Sequence, residues 1–200
     1  MPKDASAPGS LELVRGFVNS IDLERPETLD AFSSLGAARV WLADAGLGAG
    51  HVHEAELPGL RALREALRSE LLAHNGEGST QESWPVLVES LAGAAAQIVF
   101  APEGGVRLEP RPGDSGWELR DSLAAAIYDA VRDGTWPRLK ACRKHSCLFA
   151  FYDKTKNGSG AWCSMDTCGN REKAQRRRAR ASARGRSESP SGALRPFMVP

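Results

Sequence analysis

Apolar residues recur every three or four positions over five stretches of this chain, and each such stretch predicts an amphipathic helix. Leu11, Val14, Phe17, Val18 and Ile21 share one face after Ser10, a residue suited to N-capping, and Pro26 interrupts the pattern. Leu35, Ala38, Leu42 and Ala45 form the inner stripe of a helix over 35–45, with Gly46 as its left-handed C-cap. Leu57, Leu60, Leu63, Leu67 and Leu71 predict a long helix over 57–74, with Pro58 in its first turn and Asn75-Gly-Glu-Gly78 as its stop. A fourth helix is expected over 82–96, with Pro85 in its first turn. The period then shortens: 97–101 and 106–109, separated by Pro-Glu-Gly-Gly, read as a β-hairpin closed by Pro110 and Pro112. Ser115-Gly-Trp-Glu118 has capping-box spacing. It opens a fifth helix, in which Leu119, Leu123, Ile127 and Val131 recur every four residues until Gly134. Trp136-Pro137 is the expected joint with the segment that follows.

That segment holds all four cysteines, as Cys142-x4-Cys147, fifteen residues, then Cys163-x4-Cys168. Two short cysteine loops separated by about one hairpin form a zinc-ligand arrangement, because zinc takes four soft, charged ligands at tetrahedral angles. Between the pairs, Leu148-Phe-Ala-Phe-Tyr152 is strand-like, Asn157-Gly158 is a turn signal, and Ala161-Trp162 returns the chain. A module this small buries little core of its own, so the metal is expected to supply the missing stability. Cys142, Cys147, Cys163 and Cys168 are the candidate ligands of one structural Zn2+, a closed shell with no position left for a substrate. His145 in place of one cysteine, or two disulfides, are the alternatives.

Charge sharpens the picture. The net charge of +1 conceals an acidic body and a basic end. Residues 1–137 hold 11 Lys+Arg and 21 Asp+Glu, a net of −10; residues 138–186 hold 14 and 3, a net of +11. Eight basic residues fall in 171–186 against one acid, Glu172. At about 100° per residue, Lys173, Arg176, Arg177, Arg180 and Arg184 form one cationic stripe, with Arg178 off it. With Arg171 and Arg178 these are the candidate nucleic-acid contacts, since a basic helix fixed to a metal module can follow phosphates or enter a major groove. The acidic body is also a candidate shield for the basic helix. Gly169 is expected to permit a tight backbone near the metal, and Asn170 to bond to it.

Other chemistry is not visible. Gly46-x-Gly-x-Gly50 follows a helix rather than a strand, so it is no nucleotide loop. His51-x-His53 lacks a third ligand nearby. There is no P-loop, nucleophile elbow or Cys–His dyad, and the expectation is that the protein is not an enzyme. Trp41, Trp84 and Trp117 either line a pocket or fill the core, the latter being the more common fate. No secretory signal and no apolar run of about 20 residues are seen, which predicts a soluble, cytoplasmic protein in which thiols stay reduced.

Trp162-Cys-Ser-Met165 followed by Cys168-Gly-Asn-Arg171 and Lys173-x2-Arg176-Arg177 resembles the CGNR zinc-finger family. Trp136-Pro-Arg-Leu-Lys-Ala-Cys142 and Phe151-Tyr-Asp153 resemble it too, and Leu13-Val-Arg-Gly-Phe-Val-Asn-Ser-Ile-Asp22 resembles the opening of the ABATE region that precedes such fingers. Gly160-Ala161 depart from the pattern, which has basic residues there. The resemblance implies a bacterial stress-response transcription regulator. The expected fold is mainly α (α+β). A helical domain over 10–135 carries one small β-hairpin. A treble-clef-like four-cysteine zinc module, β-hairpin then basic helix, follows over 136–186, and 1–9 and 187–200 are disordered. The expected function is a zinc-dependent DNA-binding transcription regulator, responsive to stress or a ligand through its N-terminal domain. The rivals are a protein–protein adaptor and an RNA-binding protein. DNA is the expected partner, with a small-molecule effector and a homodimer as further candidates and no membrane.

Overall fold

A computed structural model of the chain describes residues 6–25, 30–48, 52–78, 81, 83–100, 102, 104–110 and 118–187, with the backbone alone described at 176 and 180–187. The helices are α1 (Leu11–Val18), α2 (Leu35–Asp44), α3 (Leu57–Ala73), α4 (Trp84–Leu91), α5 (Glu118–Arg132) and α6 (Asn170–Ser187). The strands are β1 (Ala96–Phe100), β2 (Val106–Pro110), β3 (Leu139–Ala141) and β4 (Ala150–Tyr152), paired as two antiparallel hairpins, β1–β2 and β3–β4. The protein is thus mainly helical with two small hairpins, as the fold-class expectation has it. No described helix is long and apolar enough to cross a membrane.

The leucine and valine stripes meet where predicted except at two ends: Val131 at the end of α5 and Ala45, just past α2, are exposed, because each helix leaves the core there. Val14, Phe17 and Val18 of α1, Leu63, Leu67 and Leu71 of α3, and Leu123 of α5 are fully buried. Phe17 meets Phe32 and Trp41 edge to face, and Phe32 packs tilted against Trp41, with centroids 5.4–6.0 Å apart. Trp41 therefore packs against the core, whereas Trp84 is exposed and lines an open pocket with Pro85 and Val88.

Several local expectations are corrected. Ser10 sits at the α1 N-cap position in helical backbone and makes no side-chain cap. α1 ends at Val18, so Ile21 leaves its face and forms a β-bridge with Asp30. α4 stops at Leu91, five residues early. The Ala-rich run favours helix, but Gly93 is left-handed (φ 81°) and Ala96 is already paired with Pro110. Long-range strand pairing overrides local propensity there, and Pro110 ends β2 rather than following it. Pro26, His51, the Ser115 capping box with Trp117, Pro112, residues 1–5 and residues 188–200 lie outside the described residues.

The largest correction concerns residues 136–152. Trp136, at the expected joint, begins a 3-10 turn, and its ring meets His74 edge on at 5.1 Å. β4 pairs with β3, not with Ala161-Trp162. Leu139, Ala141 and Ala150 enter the same buried cluster as α1, α3 and α5. The cysteine-bearing hairpin therefore shares the helical core instead of relying on its own.

Polar clamps reinforce that sharing. The α3 C-terminus turns through Gly76 (φ 74°), a left-handed position that favours glycine. That turn aims Asn75, which donates to Ala141 O (2.7 Å) and Ala161 O (3.0 Å). Asn19 forms a reciprocal pair with the Ala150 peptide (2.7 and 2.8 Å), and Arg68 donates to Val18 O (2.7 Å) and Leu148 O (3.0 Å). His74 Nδ1 lies 2.9 Å from Leu139 O.

Candidate metal centre and basic helix

The first cysteine pair lies on the turn of the β3–β4 hairpin. Cys142 follows β3 and donates its N–H to Phe149 O (3.0 Å). The chain then folds back so that both Cys147 N–H (2.7 Å) and Leu148 N–H (3.0 Å) reach Lys144 O. This tight knuckle forces Leu148 into the left-handed region (φ 47°), a strained position for a branched side chain, and Arg68 grips its carbonyl. The second pair brackets the start of α6. Ser164 caps a wide helical turn, Met165–Gly169, by accepting from Thr167 N–H, and Cys168 sits buried within it. A hairpin knuckle facing a cysteine-bearing helix start is the treble-clef arrangement.

The four Sγ atoms lie within 4.8 Å of one another, and Cys147–Cys163 and Cys163–Cys168 are each 3.7 Å apart. A tetrahedron with Zn–S bonds of about 2.3 Å has edges of about 3.8 Å, so the donors fit one zinc ion. Nothing joins them as a disulfide. His145 is exposed on the knuckle and is not part of the cluster. Acidity points the same way. Cys142 is pulled down to about 4, chiefly because the Cys147 and Cys163 thiols donate to it, with the N–H groups of Cys163 and Lys144 adding to the effect. The same pairing with Cys142 pushes Cys147 and Cys163 up. Thiols at this spacing cannot all ionise against one another, whereas a dication lets all four bind as thiolates. With two of the four cysteines buried, the geometry is that of a closed structural site.

Gly169 is needed for close approach, as expected. A Cβ there would lie 2.7 Å from Met165 Sδ and 3.2 Å from Trp162 Cδ1. Asn170 behaves otherwise: it is exposed in the first turn of α6 and makes no hydrogen bond into the cluster among the described residues.

Behind the metal site lies a feature that sequence reasoning missed. Asp153 and Lys140 are buried and paired, Nζ to Oδ2 at 2.8 Å. Asp153 also accepts from Thr155 N–H (3.0 Å), Thr155 Oγ1 (2.7 Å) and Gly160 N–H (2.7 Å). Burial alone would raise its pKa, but Lys140 and the Thr155 and Gly160 donors hold it down at about 2. Lys140 further donates to Gly158 O and Gly160 O, and Arg138 holds the carbonyls of Asp153 (3.0 Å) and Thr155 (2.8 Å). The loop from Asp153 to Gly160 is thus fixed by its own charges. Gly160, where the family pattern has a basic residue, has no room for one: a Cβ there would come within 2.7 Å of Asp153 Oδ1.

The finger's basic residues therefore divide into two sets. Arg138, Lys140, Arg143 and Lys144 are structural. Arg143 donates to Asn75 O (2.8 Å) and lies 3.8 Å from Glu77, and Lys144 pairs with Glu24 at 2.8 Å. Lys144 is the main cause that lowers the Glu24 pKa, with a smaller contribution from Arg171. These two ion pairs join the acidic body to the knuckle of the basic end, while Arg171 at the start of α6 also acts on Glu24. On α6, Arg171, Lys173, Arg177 and Arg178 are all exposed. The helix runs unbroken to Ser187, so the backbone keeps Lys173, Arg177, Arg180 and Arg184 in one register. The side chains of Arg176, Arg180 and Arg184 lie outside the described residues. His53 stands in the turn before α3, its N–H bonded to Glu56 (2.9 Å).

Comparison with known families agrees with this geometry. The model of the CGNR zinc finger matches residues 138–181. The ABATE model, described as "Putative stress-induced transcription regulator", matches residues 11–134. No curated protein matches the chain.

Proposed function

Because this chain belongs to the ABATE family and ends in a CGNR zinc finger, we propose that it is a zinc-dependent, DNA-binding transcription regulator. In this reading Cys142, Cys147, Cys163 and Cys168 hold one structural zinc that fixes the start of α6. Arg171, Lys173, Arg176, Arg177, Arg178, Arg180 and Arg184 contact DNA, chiefly through phosphates. The observation that carries it is the division of labour among the cations. Four basic residues of the finger are tied down by contacts within the fold, while those described on α6 are exposed. The helical body, 10–135, receives the stress or ligand signal in the cytoplasm. It passes that signal through the clamps of Asn19, Arg68 and Asn75 on the finger. No catalytic role is part of this reading.

The test is fluorescence anisotropy on a labelled duplex, comparing the wild type with Arg171→Ala/Lys173→Ala/Arg177→Ala/Arg178→Ala. Losing four phosphate contacts lowers the salt dependence of log K by roughly 3 to 4. Equal affinity and equal salt slope for the two proteins would sink the proposal.

A further inference from the structure

Two cations that flank the metal site answer to one carboxylate of the body. Lys144 lies in the loop between Cys142 and Cys147, and Arg171 in the first turn of α6 after Cys168. Glu24 follows α1, in a turn closed by its own N–H donating to Asp22 Oδ1 (2.9 Å). Its carboxylate accepts from Lys144 Nζ at 2.8 Å and is held in its charged form by that lysine and, further off, by Arg171. The two cations also act on each other: Glu24 pushes the Lys144 pKa up, whereas Arg171 pushes it down. Like charges fixed this near by one metal-bound fold favour an anion between them.

The hold on Lys144 differs in kind from that on the finger's other inward cations. Lys140 is buried against a buried Asp153, and Arg138 and Arg143 grip backbone carbonyls. Lys144 Nζ has Glu24 as its one partner among the described residues, and the Glu24 side chain is 53% accessible. A pair so open to water contributes a factor of about five at most to stability. The finger is held to the body without it, through the shared core and the clamps of Asn19, Arg68 and Asn75.

We propose that Lys144 and Arg171 form a phosphate seat, filled in the free chain by Glu24 and taken over by a backbone phosphate when DNA binds. The seat rests on the reading of α6 as a DNA-binding helix and adds Lys144 to its contacts. A phosphodiester carries the same charge as the carboxylate and offers the same kind of oxygen acceptor, so Lys144 meets it as a point charge and Arg171 by its planar fork. Until Glu24 leaves, its charge also repels a duplex approaching the start of α6. The body thus opposes binding at one carboxylate rather than through its overall acidity.

The test is fluorescence anisotropy of the zinc-loaded full chain on a labelled duplex over a series of salt concentrations. Glu24→Gln is expected to bind about two- to fivefold tighter than the wild type. Glu77→Gln removes the same charge beside Arg143, 3.8 Å away, and is expected to leave affinity unchanged, because Arg143 stays bonded to Asn75 O. Lys144→Gln in the Glu24→Gln background is expected to lose the gain and to flatten the slope of log K against log salt by about 0.9. Zinc content and circular dichroism are expected to be the same for all four chains. Equal affinity of the wild type and Glu24→Gln, both binding the duplex, overturns the seat and leaves the DNA reading standing. So does equal tightening by Glu24→Gln and Glu77→Gln, and so does a salt slope that Lys144→Gln leaves unchanged. No duplex binding by any of the chains overturns both.

Discussion

Replacing Asp153 by asparagine changes one atom and tests the electrostatics behind the metal site. All the groups around the carboxylate approach as donors: Thr155 on Oδ1, Lys140 and Gly160 on Oδ2. An asparagine must turn its NH2 toward one of those sets, so donors face donors whichever way it flips. It also leaves the Lys140 ammonium buried without its counter-charge. Two routes give the magnitude. The carboxyl stands at about 2 against an ordinary 3.8, worth about 2.5 kcal/mol. Breaking a buried ion pair from one side costs about 3–5 kcal/mol. The first route counts only the preference for the charged form, the second also the stranded lysine, so a loss of about 3 kcal/mol is expected at pH 7. The assay is urea unfolding of wild type and variant in parallel from pH 7 to pH 2, so that the loss of zinc on thiolate protonation is common to both and cancels in the difference. A depressed native pKa stabilises above the unfolded value and loses that stability as pH falls toward the native one. The wild type should therefore shed the contribution between about pH 4 and pH 2, and the variant should not, so the gap closes on acidification. A cost below about 1 kcal/mol at pH 7, or a gap that stays constant down to pH 2, would refute the reasoning.

Other outcomes follow from the same contacts. Gly160→Ala drives a Cβ against the fixed Asp153 carboxylate, and should cost about 1–3 kcal/mol in the same unfolding assay. Gly169→Ala should cost less, because the nearer obstacle, the Met165 thioether, is half exposed and can swing aside. Arg68→Met keeps the apolar stem but frees the carbonyls of Val18 and Leu148. A loss of about 2–4 kcal/mol is expected, with faster zinc transfer to a colorimetric chelator because the strained knuckle loses its grip. Removing zinc should leave the far-UV signal of the body largely in place, since the core holds most of the buried leucines. Complete unfolding on chelation would contradict the shared-core description.

Periodicity alone placed α1, α3 and α5, because each buries an apolar stripe, and α2, which buries Ala38 and Leu42 one turn apart. The four cysteines were equally plain, since their pairing in short loops is visible without any fold. What the pattern concealed was context. α3 looks like a leucine stripe with charges elsewhere, yet Arg64 and Arg68 are buried on it, Arg64 against Asp30 at 2.6 Å. A helical projection holds the clue, since at about 100° per residue Arg64 falls between Leu71 and Leu57 on the inner face. Asn75 read as a helix stop, and only the tertiary fold reveals that it reaches two carbonyls beside the cysteines. The β3–β4 hairpin was misassigned because Asn157-Gly158 is a strong local turn signal. The pairing is decided instead by burial of Leu139 and Ala141 in the body's core. The exposure of Trp84, and of Ile98 and Phe100 on the correctly expected β1, was not legible, because exposure of apolar residues is a property of the surface and leaves no mark in the sequence period.

The central claim is that zinc fixes a helix whose cations hold DNA, and duplex binding against salt tests it most directly. The measurement uses the zinc-loaded chain, with Cys163→Ser and a chelator as controls. Seven phosphate contacts from α6 predict that log K falls with log salt at a slope of about −6, and that binding is lost in both controls. One zinc per chain with no duplex binding at about 50 mM salt, or binding indifferent to the chelator, would contradict it.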